Sequence, residues 1–351
     1  MNQINVLVVD DSPTMRRLLR LALQKEPRLV VVGEAGNADE ARRQIAVLRP
    51  DVLTLDVEMP GESGLDFLRW LMAERPMPVV MCSTETQRGS SAAVEALSLG
   101  AVDCIGKPVN PAATDAFDRL PAVLMAAAAV RFPARRSLSA PPVQRSSAGF
   151  NWNRKVVLIG SSTGGVEALE RVLQVFPENG PPVLITQHMP ESFLASFAQR
   201  LNTRIAPNVA LARDGARLEQ GRILLAPGGA SHLTLDGGLR PVCRLIEGPK
   251  RNSHRPSVDE LFDSAVFLGK GAVAVMLTGM GRDGAEGMLA LRRAGARCIA
   301  QDQDSSVVWG MPRVAHEMGA VEELLPLGEI GTRILELTSR PAARVGFARG
   351  A

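Results

Sequence analysis

Long apolar runs are missing from this 351-residue sequence. None approaches the roughly 20 residues that a membrane-spanning helix needs, so direct membrane insertion is not expected. The opening MNQINVLVVDDSP lacks the basic region and long apolar stretch of a signal peptide, and a cytoplasmic location is expected. An excess of one charge sign is also missing. The 40 lysines and arginines face 37 aspartates and glutamates. The net charge of +3 is too small for a nucleic-acid surface to be the main business of the chain. Cysteine is scarce. Cys82, Cys104, Cys243 and Cys298 form no CxxC pair and sit mostly in apolar runs. That predicts free core thiols in a reducing compartment rather than a zinc site or a disulfide framework.

What is present is the composition of a soluble globular protein, 46% hydrophobic and 22% charged,. The length suits two domains, each able to bury a core. In residues 1–131, NVLVVD, LVVVGEA, DVLTLD, PVVMCS and VDCIG read as strands,. They alternate with amphipathic stretches such as TMRRLLRLALQ and LDFLRWLMAE. The pattern predicts an α/β domain, a doubly wound five-stranded parallel sheet with helices on both faces. AVLMAAAAV reads as its last helix, with Pro121 near a bend or break. Residues 132–153, rich in Arg, Pro and Ser, read as a linker,. Residues 154–345 are α/β again, Rossmann-like with a mainly parallel sheet. There RILLAPGG, SHLTLDGG and PVCRLIE predict an antiparallel hairpin or meander,.

Reactive groups in such sheets gather beyond the carboxyl ends of the strands. In the first domain Asp10 and Asp11 close one strand, Asp56 another and Ser83 a third, while Lys107 follows the fifth. Converging carboxylates repel unless a hard cation lies among them, and oxygen ligands suit Mg²⁺. Solvated helix-capping aspartates are the alternative.

The second domain is organised around KVVLIGSSTGGVEALERVL, residues 155–173. A buried strand breaks at Gly160, and GSSTGG leads into a helix. The turn places hydroxyls and free N–H groups together, suiting either a nucleophilic serine or a bound phosphate. Ser162, His188 and Asp283 each follow a predicted parallel strand. Acyl transfer needs these three types: a hydroxyl, an imidazole to take its proton, and a carboxylate to fix the imidazole's tautomer. Backbone N–H groups at Thr163 and Met280 are candidate oxyanion donors. Other roles stay open at this point. His188 could cap a strand, Asp283 could cap the helix beginning near Ala285, and His254 is a rival base.

The first domain's VVDDSP, LDVEMPGESG, CS and GKPV resemble the signature of a two-component receiver. The resemblance implies phosphorylation of Asp56, with Mg²⁺ held by Asp10, Asp11, Asp56 and the carbonyl of Glu58. Lys107 and Ser83 would contact the phosphoryl group. Cys104 stands where receivers usually carry an aromatic switch residue, which puts an aromatic-rotamer mechanism in doubt. In the second domain VLIGSSTGGVEAL, ITQHMPESF, LLAPGG, HRPSVDELF, LTGMGRDGAEGM and AQDQDSSVVWGMPRVA are similar to the chemotaxis protein-glutamate methylesterases, the CheB family. That resemblance implies Ser162 as nucleophile, His188 as base and Asp283 as orienting acid. Ser161 and Arg282 depart from the residues common at their positions. The implied activity is demethylation of glutamate methyl esters, and deamidation of particular glutamines, on chemoreceptor cytoplasmic helices. A histidine kinase of the CheA type would be the phosphodonor, and no cofactor is implied for hydrolysis. The unphosphorylated receiver is expected to cover the Ser162 rim. The alternative is a response regulator whose second domain binds a nucleotide or protein without catalysis.

Overall fold

A computed structural model describes residues 3–84, 86–108, 117–130, 150–238 and 240–340. The expected domain end at residue 131, most of the expected linker and the end at 345 lie outside them. The N-terminal unit runs β1 (Ile4–Val9), α1 (Pro13–Leu23), β2 (Leu29–Ala35), α2 (Ala38–Leu48), β3 (Val52–Asp56), α3 (Gly64–Glu74), β4 (Val79–Ser83), α4 (Gln87–Ser98), β5 (Asp103–Gly106) and α5 (Leu120–Ala128). Its strands order 2-1-3-4-5 and pair in parallel. The strand order reverses between β1 and β3, so Asp10 and Asp56 meet at that switch point. Four of the helices begin at hydroxyl or amide caps: the Ser12, Asn37, Ser63 and Thr86 side chains accept from Met15, Glu40, Asp66 and Gly89 N–H,. Pro121 opens α5 in its first turn rather than bending it. Its missing N–H costs nothing there, because no helical acceptor is available at that position.

The second unit begins β6 (Val156–Ser161), α6 (Gly165–Leu173), β7 (Val183–Gln187), α7 (Glu191–Arg204), β8 (Asn208–Leu211) and β9 (Arg222–Leu225). It continues β10 (Ser231–Asp236), β11 (Val242–Glu247), α8 (Val258–Ser264), β12 (Ala272–Met276), α9 (Ala285–Arg293), β13 (Arg297–Gln301), α10 (Met311–Glu317), β14 (Glu323–Leu325) and α11 (Leu327–Thr338). Seven strands form a parallel sheet in the order 14-13-12-6-7-9-8. The hairpin is β10 with β11 alone. RILL, grouped with it in sequence, instead becomes β9 and pairs in parallel with both β7 and β8. The chain leaves β6 towards β7 and later returns to lay β12 on its other side. A second switch point therefore opens at the end of β6, where Ser162 sits.

The two units pack together. Ala93, Val94 and Leu97 of α4 share one buried cluster with Phe193 and Phe197 of α7. Ser98 Oγ donates to Glu170 Oε1 at 3.2 Å, and Met280 and Val307 pack against the apolar cluster of the N-terminal unit. One tight approach within that unit is testable. A Cβ on Gly64 would lie 1.8 Å from the Asp56 carbonyl oxygen, and backbone cannot yield as a side chain can. Gly64→Ala is expected to destabilise the N-terminal unit by about 2 kcal/mol, read as a lower denaturation midpoint.

Candidate active site

β6 and β7 pair in register, Ser161 opposite Gln187. The next residues, Ser162 and His188, therefore leave neighbouring strands side by side, and His188 N–H donates to the Ser161 carbonyl at 3.1 Å. The Gln187 side chain locks this corner. Its Oε1 accepts from Ser161 Oγ at 2.6 Å, and its Nε2 donates to the Ser162 and His188 carbonyls at 2.9 and 3.2 Å. The Ser161 hydroxyl, buried and committed to Gln187, is not available for other chemistry. Gly164, at φ 78°, turns the chain into α6, a conformation that costs a glycine little. The N–H groups of Thr163 and Met280 have no acceptor among the described residues.

His188 Nε2 pairs with Asp283 Oδ2 at 2.8 Å, both side chains buried. Asp283 Oδ2 also accepts from Val258 N–H at 2.7 Å, and Oδ1 from Ser257 Oγ, Asn252 Nδ2 and Asp259 N–H at 2.7, 3.0 and 3.3 Å. Burial opposes ionisation of Asp283. The hydrogen bonds from His188, Asn252 and Ser257 outweigh it and hold the carboxyl well below the usual carboxylate range,. An ionised Asp283 makes His188 Nε2 the protonated nitrogen and leaves Nδ1 as an acceptor. Nδ1 is buried without a partner among the described residues, so the bond to the Ser162 hydroxyl is not formed in this arrangement. Catalytic bonds are often loose before substrate binds.

Asp283 does not cap α9, since Gly284 occupies that position. The rival base His254 stacks on His188, ring centroids 3.7 Å apart and planes 6° from parallel. Burial, together with the neighbouring His188 and Arg119, pushes His254 down to about 3, too weak a base to compete near neutral pH. Arg282 reaches out to Glu286 at 2.7 Å on the exposed face of α9, away from the site. Sequence reasoning missed Asn252, Ser257 and Asp259. Asn252 Nδ2 bridges Asp283 and Asp259, at 3.0 and 2.7 Å. Burial pushes Asp259 up to about 6, and the charge of Asp283 adds to this against a hydrogen bond from Gly287 N–H. The cluster NSHRPSVD was itself visible; that its polar residues face the same carboxylate was not.

The family model described as CheB methylesterase matches residues 157–334, and the response regulator receiver domain matches residues 6–116. The chain is 56% identical over 337 residues to the protein-glutamate methylesterase/protein-glutamine glutaminase of Rhizobium etli, covering 95% of this chain and 96% of that one.

The chain belongs to the CheB methylesterase family.

Its relative of that same description from Agrobacterium fabrum is 54% identical over 338 residues, 95% of this chain and 96% of that one. The crystal structure of the Thermotoga maritima CheB methylesterase catalytic domain is similar at a TM-score of 0.51 and 37% identity, over 52% of this chain and 98% of that one. The receiver match falls on the N-terminal unit, where Asp10, Asp11 and Asp56 offer carboxylate oxygens within 4.8 Å of one another. Lys107 Nζ lies 2.8 Å from Asp10 and 2.7 Å from Asp56. Burial pushes Asp56 up to about 6, Lys107 opposes this, and Asp10 adds to it. A cluster of hard oxygen donors this close together fits a divalent cation such as Mg²⁺,. Glu58 is held beside it by its N–H on Asp56 Oδ1 at 3.2 Å. The Ser83 hydroxyl is turned away, donating to the Gly89 and Thr84 carbonyls at 3.0 and 3.3 Å. Cys104 is buried within the apolar cluster shared by the two units.

The depressed His254 fixes the sign of a pH effect. Below its ordinary value of 6.5 the unfolded chain takes up a proton that the folded chain refuses down to about 3. Its contribution to stability is therefore full above 6.5 and is lost on acidification. His254→Phe keeps a flat ring against His188 but cannot titrate. Urea titrations at about pH 7 and about pH 5 are expected to show the variant losing about 1–2 kcal/mol less stability than wild type.

Proposed function

We propose that this family member is a phosphorylation-activated protein-glutamate methylesterase and protein-glutamine glutaminase, with residues 1–131 as receiver, 132–153 as linker and 154–345 as the catalytic domain. The observation that carries the reading is the buried His188–Asp283 pair beside Ser162 at the carboxyl ends of adjacent parallel strands. The nucleotide-binding alternative gives no reason for a paired imidazole and carboxylate there.

In this reading Ser162 Oγ attacks the γ-carbonyl carbon of a glutamyl methyl ester as His188 Nδ1 takes the hydroxyl proton. Asp283 holds the ring's tautomer and stabilises the imidazolium. The Thr163 and Met280 N–H groups receive the oxyanion. The imidazolium returns the proton to the departing methoxide, and methanol leaves an acyl-serine. Water, deprotonated by the same ring, then releases the glutamate carboxylate and the serine. A glutamine side chain follows the same course with ammonia as the leaving group. The substrates are chemoreceptor cytoplasmic helices, which places the enzyme in the cytoplasm.

Asp56 takes the phosphoryl group from a histidine kinase of the CheA type, with Lys107 beside the new phosphate and Ser83 turning to donate to it. Asp10, Asp11, Asp56 and the Glu58 carbonyl would hold Mg²⁺, which supplies positive charge against the transferred phosphoryl oxygens. The docked α4 and β5 cover the Ser162 rim, and phosphorylation shifts the population towards an undocked state. A complete reversal from 1:99 to 99:1 needs about 5.5 kcal/mol of differential stabilisation.

Methanol release from methylated receptor membranes tests both halves. Ser162→Ala is expected to lower the rate by at least about 10⁴-fold. Asp56→Asn is expected to keep the basal rate and lose the stimulation by a small phosphodonor. A Ser162→Ala protein that still releases methanol removes the hydrolase reading.

A further inference from the structure

The hydroxyl beside the nucleophile is engaged from outside its own unit. Thr163 Oγ1 donates to Asp103 Oδ2 at 2.5 Å, and Asp103 stands at the start of β5. Its other oxygen accepts from Cys104 N–H at 2.8 Å. Asp103 and Ser162 are walls of one cavity of about 730 Å³ between the two units. Thr163 is buried, whereas Asp103 keeps a partly open face. Burial pushes the Asp103 carboxyl up, while Thr163, Arg119 and the more distant His188 pull it down.

We propose that Thr163 Oγ1 is a subsite for the substrate's γ-carboxyl group, and that Asp103 fills it in the docked form as an internal analogue of that group. This rests on the serine-hydrolase reading above. The chemistry is shared: an ester, a carboxamide and a carboxyl each present an oxygen acceptor on a planar carbon at the end of a short chain. The hydroxyl adjoins the nucleophile in sequence and already holds such an oxygen. Burial favours the neutral carboxyl, the form nearest to an ester or amide. Asp103 is tethered, so it competes as an intramolecular ligand at high effective concentration. Docking then blocks the site by occupying a substrate contact, beyond simply covering it.

Substitutions in the full chain, assayed on methylated receptor membranes without phosphodonor, separate this from a steric plug. Asp103→Ala and Asp103→Leu both remove the acceptor, and leucine keeps the bulk. Each is expected to raise methanol release about tenfold, the equivalent of one lost hydrogen bond. Asp103→Asn still offers an oxygen to Thr163 and is expected to stay within about twofold of wild type. An Asp103→Leu protein as slow as wild type overturns the analogue, as does Asp103→Asn rising as far as Asp103→Leu. Adding Thr163→Val to Asp103→Ala reads the subsite itself. KM for receptor is expected to rise about fivefold or more, with a smaller change in kcat. An unchanged KM overturns the subsite. Stimulated rates with phosphodonor equal to wild type show that the Asp103 variants are folded. Failure of the underlying reading is a different result, methanol release surviving Ser162→Ala.

Discussion

Much of the catalytic domain's local order turns on the Asp283 carboxylate. A buried negative charge is tolerable only if it is paired and hydrogen-bonded. Here His188, Asn252, Ser257 and the N–H groups of Val258 and Asp259 all turn to it. Satisfying that one group brings together the glycine loop after β12, the segment leading into α8 and the end of β7. The same donors that keep Asp283 ionised fix which nitrogen of His188 carries the proton. One set of contacts thus satisfies the buried charge and orients the imidazole beside Ser162.

Both units put their chemistry at a reversal of strand order. Asp10 and Asp56 lie on either side of the β1–β3 reversal, and Ser162 lies where β6 parts from β12. Parallel strands bury their sides and expose their carboxyl ends, and at a reversal the flanking helices diverge to opposite faces. Neither site needs a special cavity carved for it. In the first, like charges gather around Lys107; in the second, opposite and neutral groups interlock. The first is suited to receiving a highly charged group, the second to moving a proton in a dry place.

The interface links these two sites through ordinary packing. α4 follows the strand that ends at Ser83, and it is α4 whose apolar face meets α7. β5 carries Asp103 at one end and leads to Lys107 beyond the other. α4 and β5 therefore each run from the neighbourhood of Asp56 to contacts with the second unit.

Strand and helix positions in the N-terminal unit were legible because apolar runs and amphipathic stretches alternate there in step. In the second unit the short edge strands β8 and β14 were not, and Arg222–Leu225 was assigned to the wrong neighbours. Strands of three or four residues carry little periodicity, and their partners are chosen by whichever sheet edge lies open,. The commitment of Ser161 to Gln187, the stacking of His254 on His188 and the Asn252 bridge were equally invisible, since each joins residues remote in the chain. Sequence alone determined the types of element and which hydroxyl, imidazole and carboxylate residues stand at strand ends, because those follow from local periodicity and turn chemistry. Only the tertiary structure decided which imidazole holds the carboxylate, and which unit's aspartate grips the threonine beside the serine. Such choices depend on distances across the packed interior that no local pattern encodes.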